Sequence, residues 1–287
     1  MSDSDSITRR LLGLWFKLLV QAAVGLALAG LAAAALWIWF GQESLLFKPE
    51  PLPVSTALST APDITEATVE VPGARLSALH LRLPNPKGLV FFLHGNAGNL
   101  QSWFVNPALY REANFDLFMI DYRGYGKSSG KIQSEAQLRA DVRAAWAQMA
   151  PQYAGKKIVV YGRSLGSGLA AGLAAELAAS PGERQPDLTV LVSPYTSIAA
   201  LTADHYPWVP QALLRYPLRT DGLIAKIRSP LMLFHGDKDK LIALRHSDAL
   251  KALAPQAQLI KVEGAAHDDV QKFPGYRDRF FAALEAL

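Results

Sequence analysis

The stretch Lys157-Ile158-Val159-Val160-Tyr161-Gly162-Arg163-Ser164-Leu165-Gly166-Ser167-Gly168-Leu169-Ala170-Ala171 decides the fold. It begins as a β-branched apolar run, the mark of a strand covered on both faces, and continues as an Ala/Leu-rich helix former. Gly162-Arg163-Ser164-Leu165-Gly166 lies at the junction, the strand–turn–helix setting that a G-x-S-x-G nucleophile elbow requires. Such a sharp turn needs small neighbours, hence Gly162 and Gly166. It lifts Ser164 above the sheet and aims the Leu165 N–H at the place where an oxyanion would form.

On either side of this junction, near-continuous apolar runs recur at 88–94, 115–122, 188–194 and 230–236, with a further apolar strand at 258–262. ATVEV (67–71) and ALHLRL (78–83) alternate with period two, as a half-exposed antiparallel pair would. Helix-like stretches at 99–112, 134–150, 165–180, 243–254 and 270–287 fall between and after them. Strand–helix alternation of this kind predicts a doubly wound, mostly parallel α/β domain over 66–287. Residues 195–228 exceed what a crossover needs and carry Tyr195, Tyr206, Trp208 and Tyr216 among three prolines. They read as an aromatic lid insertion at the carboxyl ends of the strands, where such sheets bind ligands.

A serine hydroxyl needs a base, and the chain offers six histidines. For an elbow of this type the chain order is Ser, acid, His, with the base after the last strand, and His267 in Gly264-Ala265-Ala266-His267-Asp268 fits. His246 reads as part of a solvated helical face, His205 as a partly buried lid residue and His80 as a surface residue on an edge strand. Asp237 and Asp239 both follow the apolar strand 230–236, and spacing alone does not choose between them. Asp268 and Asp269 read as the start of the last helix. The loop His94-Gly95-Asn96-Ala97-Gly98-Asn99 stands where the second oxyanion donor belongs, with the Asn96 N–H as the candidate.

Three other patterns fail on inspection. Gly126-Lys127-Ser128 lacks the upstream glycine of a P-loop, where Asp121 sits instead. The glycines of Gly166-x-Gly168-x-x-Ala171 lie inside the helix, not in the turn a dinucleotide fingerprint needs. No histidine pair has zinc-ligand spacing on one helix, so neither metal nor cofactor is expected. With 50% apolar and 19% charged residues the chain is no disordered polypeptide. Cys 0 removes disulfides and thiol chemistry, and a net charge of +4 without a Lys/Arg block argues against nucleic acid as a partner.

From Leu18 to Phe40 no residue is charged, and as a helix the run spans about 34 Å, enough for a bilayer core of about 30 Å. Trp15 and Phe16 at one end and Trp37, Trp39 and Phe40 at the other suit the two interfaces. The run is too long for a cleavable signal peptide, so 18–40 is expected to be a retained transmembrane anchor. Arg9, Arg10 and Lys17 against Lys48 then predict a cytoplasmic 1–17 and a catalytic domain outside, in the periplasm if the source is bacterial. Residues 41–65, with four prolines, read as an extended arm.

Together, ESLLFKP (43–49), HGNAGN (94–99), DYRGYGKSSG (121–130), GRSLGSG (162–168), Tyr206-Pro207-Trp208, HGDKD (235–239) and GAAHDD (264–269) resemble the α/β-hydrolase superfamily. Within it they resemble the membrane-anchored, serine-aminopeptidase-like (S33-type) branch, whose eukaryotic relatives include depalmitoylating thioesterases. The resemblance implies an eight-stranded, mostly parallel sheet with helices on both faces and an acid at the end of HG-x-x-D, which is Asp239. It also implies that Asp121, Arg123 and Gly124 shape the floor of the site rather than react. Arg215-Tyr216-Pro217-Leu218-Arg219 departs from the acidic, Phe-containing segment that relatives tend to carry. The expected function is that of a membrane-anchored serine hydrolase. Ser164, His267 and Asp239 would cleave an ester, thioester or amide, and the Asn96 and Leu165 amides would bind the oxyanion. Its expected substrate is a small or lipid-like acyl compound. Two alternatives are an aminopeptidase, for which Asp204 and Asp221 could meet a free amine, and a non-catalytic tethered binding protein.

Overall fold

The computed structural model describes residues 3–287. Met1 and Ser2, part of the expected cytoplasmic segment, lie outside the described residues. Eight strands form one sheet: β1 Ile64–Val71, β2 Ala74–Leu81, β3 Gly88–Leu93, β4 Phe115–Ile120, β5 Lys157–Arg163, β6 Leu188–Val192, β7 Leu231–Gly236 and β8 Gln258–Val262. Their order across the sheet is β8-β7-β6-β5-β3-β4-β2-β1. All neighbours are parallel except β1 with β2 and β2 with β4. Every residue of β3, β4, β6 and β7 is buried, which is why their sequences are unbroken apolar runs.

The expectation of a half-exposed β2 is corrected. Of this pair only β1, at the edge, keeps one face wet, while β2 lies between it and β4 and is buried from Leu76 to Leu81. His80 is therefore not a surface residue: it is buried, with its Nε2 2.8 Å from the Tyr153 hydroxyl. A polar ring in an apolar strand needs such a partner, and Tyr153 comes from far along the chain.

Helices α1 Asp3–Leu46, α2 Leu100–Trp103, α3 Pro107–Ala113, α4 Glu135–Met149, α5 Leu165–Ala179, α6 Ile198–His205, α7 Arg245–Leu253 and α8 Pro274–Glu285 complete the chain. The helix expected at 99–112 is two: Asn106 turns left-handed and Pro107 cannot continue a preceding helix, though it starts a new one well. The stretch 270–287 is likewise divided, by an extended Phe273 before Pro274. Ser134 and Ser197 cap α4 and α6 by accepting from the Gln137 and Ala200 N–H groups.

Among the described residues, α1 is the one helix long and apolar enough to cross a membrane. It is 44 residues, or about 66 Å, and exposes Leu26, Leu28, Leu31, Trp37 and Phe40 along its length. It does not end at Phe40. No proline interrupts it before Pro49, so the extended arm begins at Phe47 rather than at residue 41.

Candidate active site

At the carboxyl end of β5 the chain reverses into α5 through Ser164, whose φ of 53° and ψ of −123° form a strained turn. The flanking glycines make it possible. A Cβ on Gly162 would lie 2.1 Å from the Gly166 carbonyl oxygen, and one on Gly166 would lie 2.0 Å from that of Leu93. Gly166→Ala is expected to destabilise the domain by about 2–3 kcal/mol, lowering Tm by roughly 5–10 °C. Thermal unfolding within 2 °C of wild type (about half a kcal/mol) would contradict this packing.

The structure brings Ser164, His267 and Asp239 into one hydrogen-bonded chain. The Ser164 Oγ is 3.0 Å from His267 Nε2, and His267 Nδ1 is 2.8 Å from Asp239 Oδ2. A carboxylate only accepts, so Nδ1–H donates to Asp239 and Nε2 accepts from the serine hydroxyl. The other oxygen, Asp239 Oδ1, accepts the N–H groups of Leu241 at 3.0 Å and Ile242 at 2.8 Å. Burial alone would raise this carboxyl. Bonds from His235, His267 and the Ile242 N–H outweigh it and hold Asp239 well below the usual carboxylate range. Asp237, the other candidate, turns away: its Oδ1 accepts the Gly264 N–H at 2.7 Å and braces the loop that carries His267.

The oxyanion candidates flank the serine. Leu165 opens α5, so its N–H has no carbonyl to bond within the helix. The loop after β3 touches Ser164 through Gly95, where a Cβ would sit 3.5 Å from the serine Cβ. His94, fully buried, donates from Nδ1 to the Gly95 carbonyl at 2.7 Å and so fixes the peptide plane whose other end is the Asn96 N–H. The Asn96 carbonyl is held by the Lys48 N–H at 2.8 Å and the Tyr125 hydroxyl at 2.6 Å. Asp121 lies beneath, fully buried, with Oδ1 3.4 Å from His94 Nε2.

Several residues beside the site were read differently, or not at all, from sequence. His246 does not sit on a solvated face but is buried, its Nε2 2.7 Å from Asp204 Oδ2 and its Nδ1 2.9 Å from the Thr196 hydroxyl. Although burial opposes it, bonds from Arg245 and His246 keep the Asp204 carboxyl below its ordinary range. His205 is exposed rather than partly buried, and its Nε2 meets the Leu241 carbonyl at 2.8 Å, tying α6 to the loop after Asp239. Asp269 leads into a short 3-10 turn, Val270–Lys272, that precedes α8, and its Oδ1 accepts the Ala266 N–H at 2.7 Å and closes the His267 loop. Arg163 reaches the His267 carbonyl at 2.8 Å and lies over the Trp103 ring, 5.2 Å from its centroid. An arginine in the middle of the elbow gives no sequence signal for that contact. A cavity of about 530 Å³ opens behind it, floored by Phe92, Leu117 and Met119; none of Ser164, Asp239 or His267 lines it. No group of side chains that could hold a metal ion occurs among the described residues.

An eight-stranded, mostly parallel sheet with helices on both faces, an elbow serine after β5 and a histidine after β8 is the architecture of an α/β-hydrolase. The sequence model of the family described as serine aminopeptidase, S33, matches residues 84–221. An uncharacterised protein of Mycobacterium tuberculosis is 32% identical over 267 residues, 89% of this chain and 90% of its own length. Human alpha/beta hydrolase domain-containing protein 17B is 31% identical over 214 residues, 72% of this chain and 70% of its own. Among solved structures, a Pyrococcus furiosus esterase superposes with a TM-score of 0.64 at 18% identity, covering 84% of this chain and 97% of its own. A bacterial membrane phospholipase A does so with a TM-score of 0.60 at 16% identity, covering 96% of this chain and 97% of its own. At these identities the structural likeness is one of fold. The chain belongs to the α/β-hydrolases, in one family with the alpha/beta hydrolase domain-containing 17 proteins.

Proposed function

We propose that the protein is a membrane-anchored serine hydrolase that cleaves acyl esters or thioesters of lipid-like compounds. The observation that carries this reading is the continuous Ser164–His267–Asp239 hydrogen-bond chain, 3.0 Å and 2.8 Å in its two links, at the first turn of α5. In this mechanism Ser164 Oγ attacks the acyl carbonyl as its proton passes to His267 Nε2. The Leu165 and Asn96 N–H groups receive the developing oxyanion, each contributing about 3 kcal/mol to the barrier reduction. As the tetrahedral adduct collapses, His267 returns the proton to the departing alcohol or thiol. Water, activated by the same imidazole, then attacks the acyl-serine and releases the acid. Asp239 keeps Nδ1 protonated and steadies the transient imidazolium.

Two features support an acyl ester over a peptide. The insertion's two carboxylates are engaged, Asp204 by Arg245 and His246 and Asp221 by Arg219, so neither is free for a substrate amine. The insertion exposes Tyr206 and Trp208, aromatic surface suited to an amphiphile. In detergent micelles, p-nitrophenyl acyl esters are expected to turn over at least about 100-fold faster in kcat/KM than aminoacyl p-nitroanilides, a difference of about 2.7 kcal/mol. The reverse order would overturn the ester reading in favour of a peptidase.

The anchor would place the domain on the extracytoplasmic side. Since the chain has no cysteine, a single Ser55→Cys on the exposed arm gives a clean topology probe. A membrane-impermeant maleimide is expected to label it in intact cells, and labelling only after lysis would contradict the orientation.

A further inference from the structure

The end of the apolar helix grips two parts of the site at once. On one side it holds the insertion. Gln42, nearly fully buried, donates to the Leu213 carbonyl at 2.6 Å and accepts the Arg215 N–H at 2.8 Å. Glu43 pairs with the Arg215 guanidinium at 2.8 Å and accepts the Tyr216 hydroxyl at 2.7 Å. Phe47 is buried edge-on against Tyr216, ring centroids 5.2 Å apart. The unusual Arg215-Tyr216 pair of the insertion is thus the socket for the last turn of α1.

On the other side the same few residues hold the loop after β3. The Leu46 carbonyl accepts the Asn96 Nδ2–H at 3.1 Å, and the Lys48 N–H donates to the Asn96 carbonyl at 2.8 Å. Lys48–Pro49 then pairs in parallel with Ala97–Gly98, the Glu50 N–H meets the Gly98 carbonyl at 3.1 Å, and Asn99 Nδ2 reaches the Glu50 carbonyl at 2.9 Å. Among the described residues the loop makes no other β-pairing, so this ladder and the Tyr125 hydroxyl fix the peptide that follows the Asn96 amide.

We infer that Gln42–Glu50, the exit of the helix, is a positioning element of the active site: it sets the Asn96 N–H for the oxyanion and locks the insertion to the same point. The inference rests on the reading of Asn96 as an oxyanion donor. A misplacement of about 1 Å in such a group costs about 100-fold in rate, as does loss of one donor, at about 10²–10³. Substrate binding, which does not use the oxyanion contact, should be largely spared.

The test uses the full-length chain in detergent with a p-nitrophenyl acyl ester. Lys48→Pro removes the N–H that holds the Asn96 carbonyl, whereas Lys48→Ala keeps it. Lys48→Pro is expected to lower kcat about 30- to 100-fold with KM within about threefold, and Lys48→Ala to restore kcat. Asn96→Ala leaves its own amide but cuts the tie to Leu46, and is expected to lose about tenfold in kcat. If Lys48→Pro fails to fold, Asn96→Ala decides by the same split. Wild-type kcat in Lys48→Pro and Asn96→Ala, or a change confined to KM, would overturn the inference while leaving the hydrolase reading intact. A wild-type protein that cleaves no acyl ester would sink both.

Discussion

Ser164→Ala is expected to lower kcat for acyl esters by about 10⁶-fold while leaving the fold intact. The hydroxyl is the proposed nucleophile, and it is hydrogen-bonded to His267 Nε2 at 3.0 Å. Backbone contacts, not the hydroxyl, hold the residue: its N–H donates to the Val192 carbonyl at 2.9 Å, and its carbonyl accepts the Ser167 hydroxyl at 2.6 Å. Alanine can make both of these bonds. It inherits the strained φ of 53° and no longer buries a hydroxyl, so Tm should stay within a few degrees of wild type or rise. Residual turnover above the uncatalysed rate would come from the oxyanion donors alone. A variant that kept even one-hundredth of wild-type kcat, when about 10⁶-fold is expected to be lost, would show that another group attacks the carbonyl.

Asp239→Asn is the second large effect, a loss of about 10⁴-fold in kcat. The amide can still accept from the Leu241 and Ile242 N–H groups through one oxygen, so the loop geometry survives. Towards His267 it offers an NH₂ or a weaker acceptor, and the imidazole turns to the tautomer that cannot take the serine proton at Nε2. A second consequence follows from the depressed carboxyl of Asp239. A group held below its unfolded value stabilises the folded chain fully above that value, about pH 4 for Asp, and loses the contribution as pH falls towards its folded value. Wild-type Tm should therefore drop more steeply than that of Asp239→Asn on going from about pH 6 to about pH 3. Parallel curves for the two proteins would show that the carboxylate is not tied in as described.

Much of this arrangement is legible in the sequence because it rests on local chemistry. Gly162 and Gly166 mark the elbow because backbone atoms stand about 2 Å from where their Cβ atoms would be, a constraint that spacing alone exposes. The fully buried strands announce themselves as apolar runs. Asp237 and Asp239 are indistinguishable by spacing, since both lie on one loop. What separates them is the Gly264 N–H, which takes Asp237, and that contact depends on the approach of β8 to β7.

What stays hidden depends on partners distant in the chain. His80 and His246 look solvent-facing until Tyr153 and Asp204 are folded against them. Helix periodicity runs through 99–112 because an apolar pattern carries no trace of the left-handed Asn106. The seat of the long apolar helix on Arg215 and Tyr216 joins residues about 170 positions apart. Nothing in a hydropathy profile signals that the long apolar helix ends against the insertion and the loop after β3.

The most direct measurement is mass spectrometry of the intact chain and its peptides after reaction with a fluorophosphonate. One adduct is expected, on the peptide bearing Ser164, and it should vanish in His267→Ala, which keeps the hydroxyl but loses the base. An unlabelled wild-type protein, or an adduct on Ser167 or Ser193 instead, would contradict the assignment of Ser164 as the attacking group.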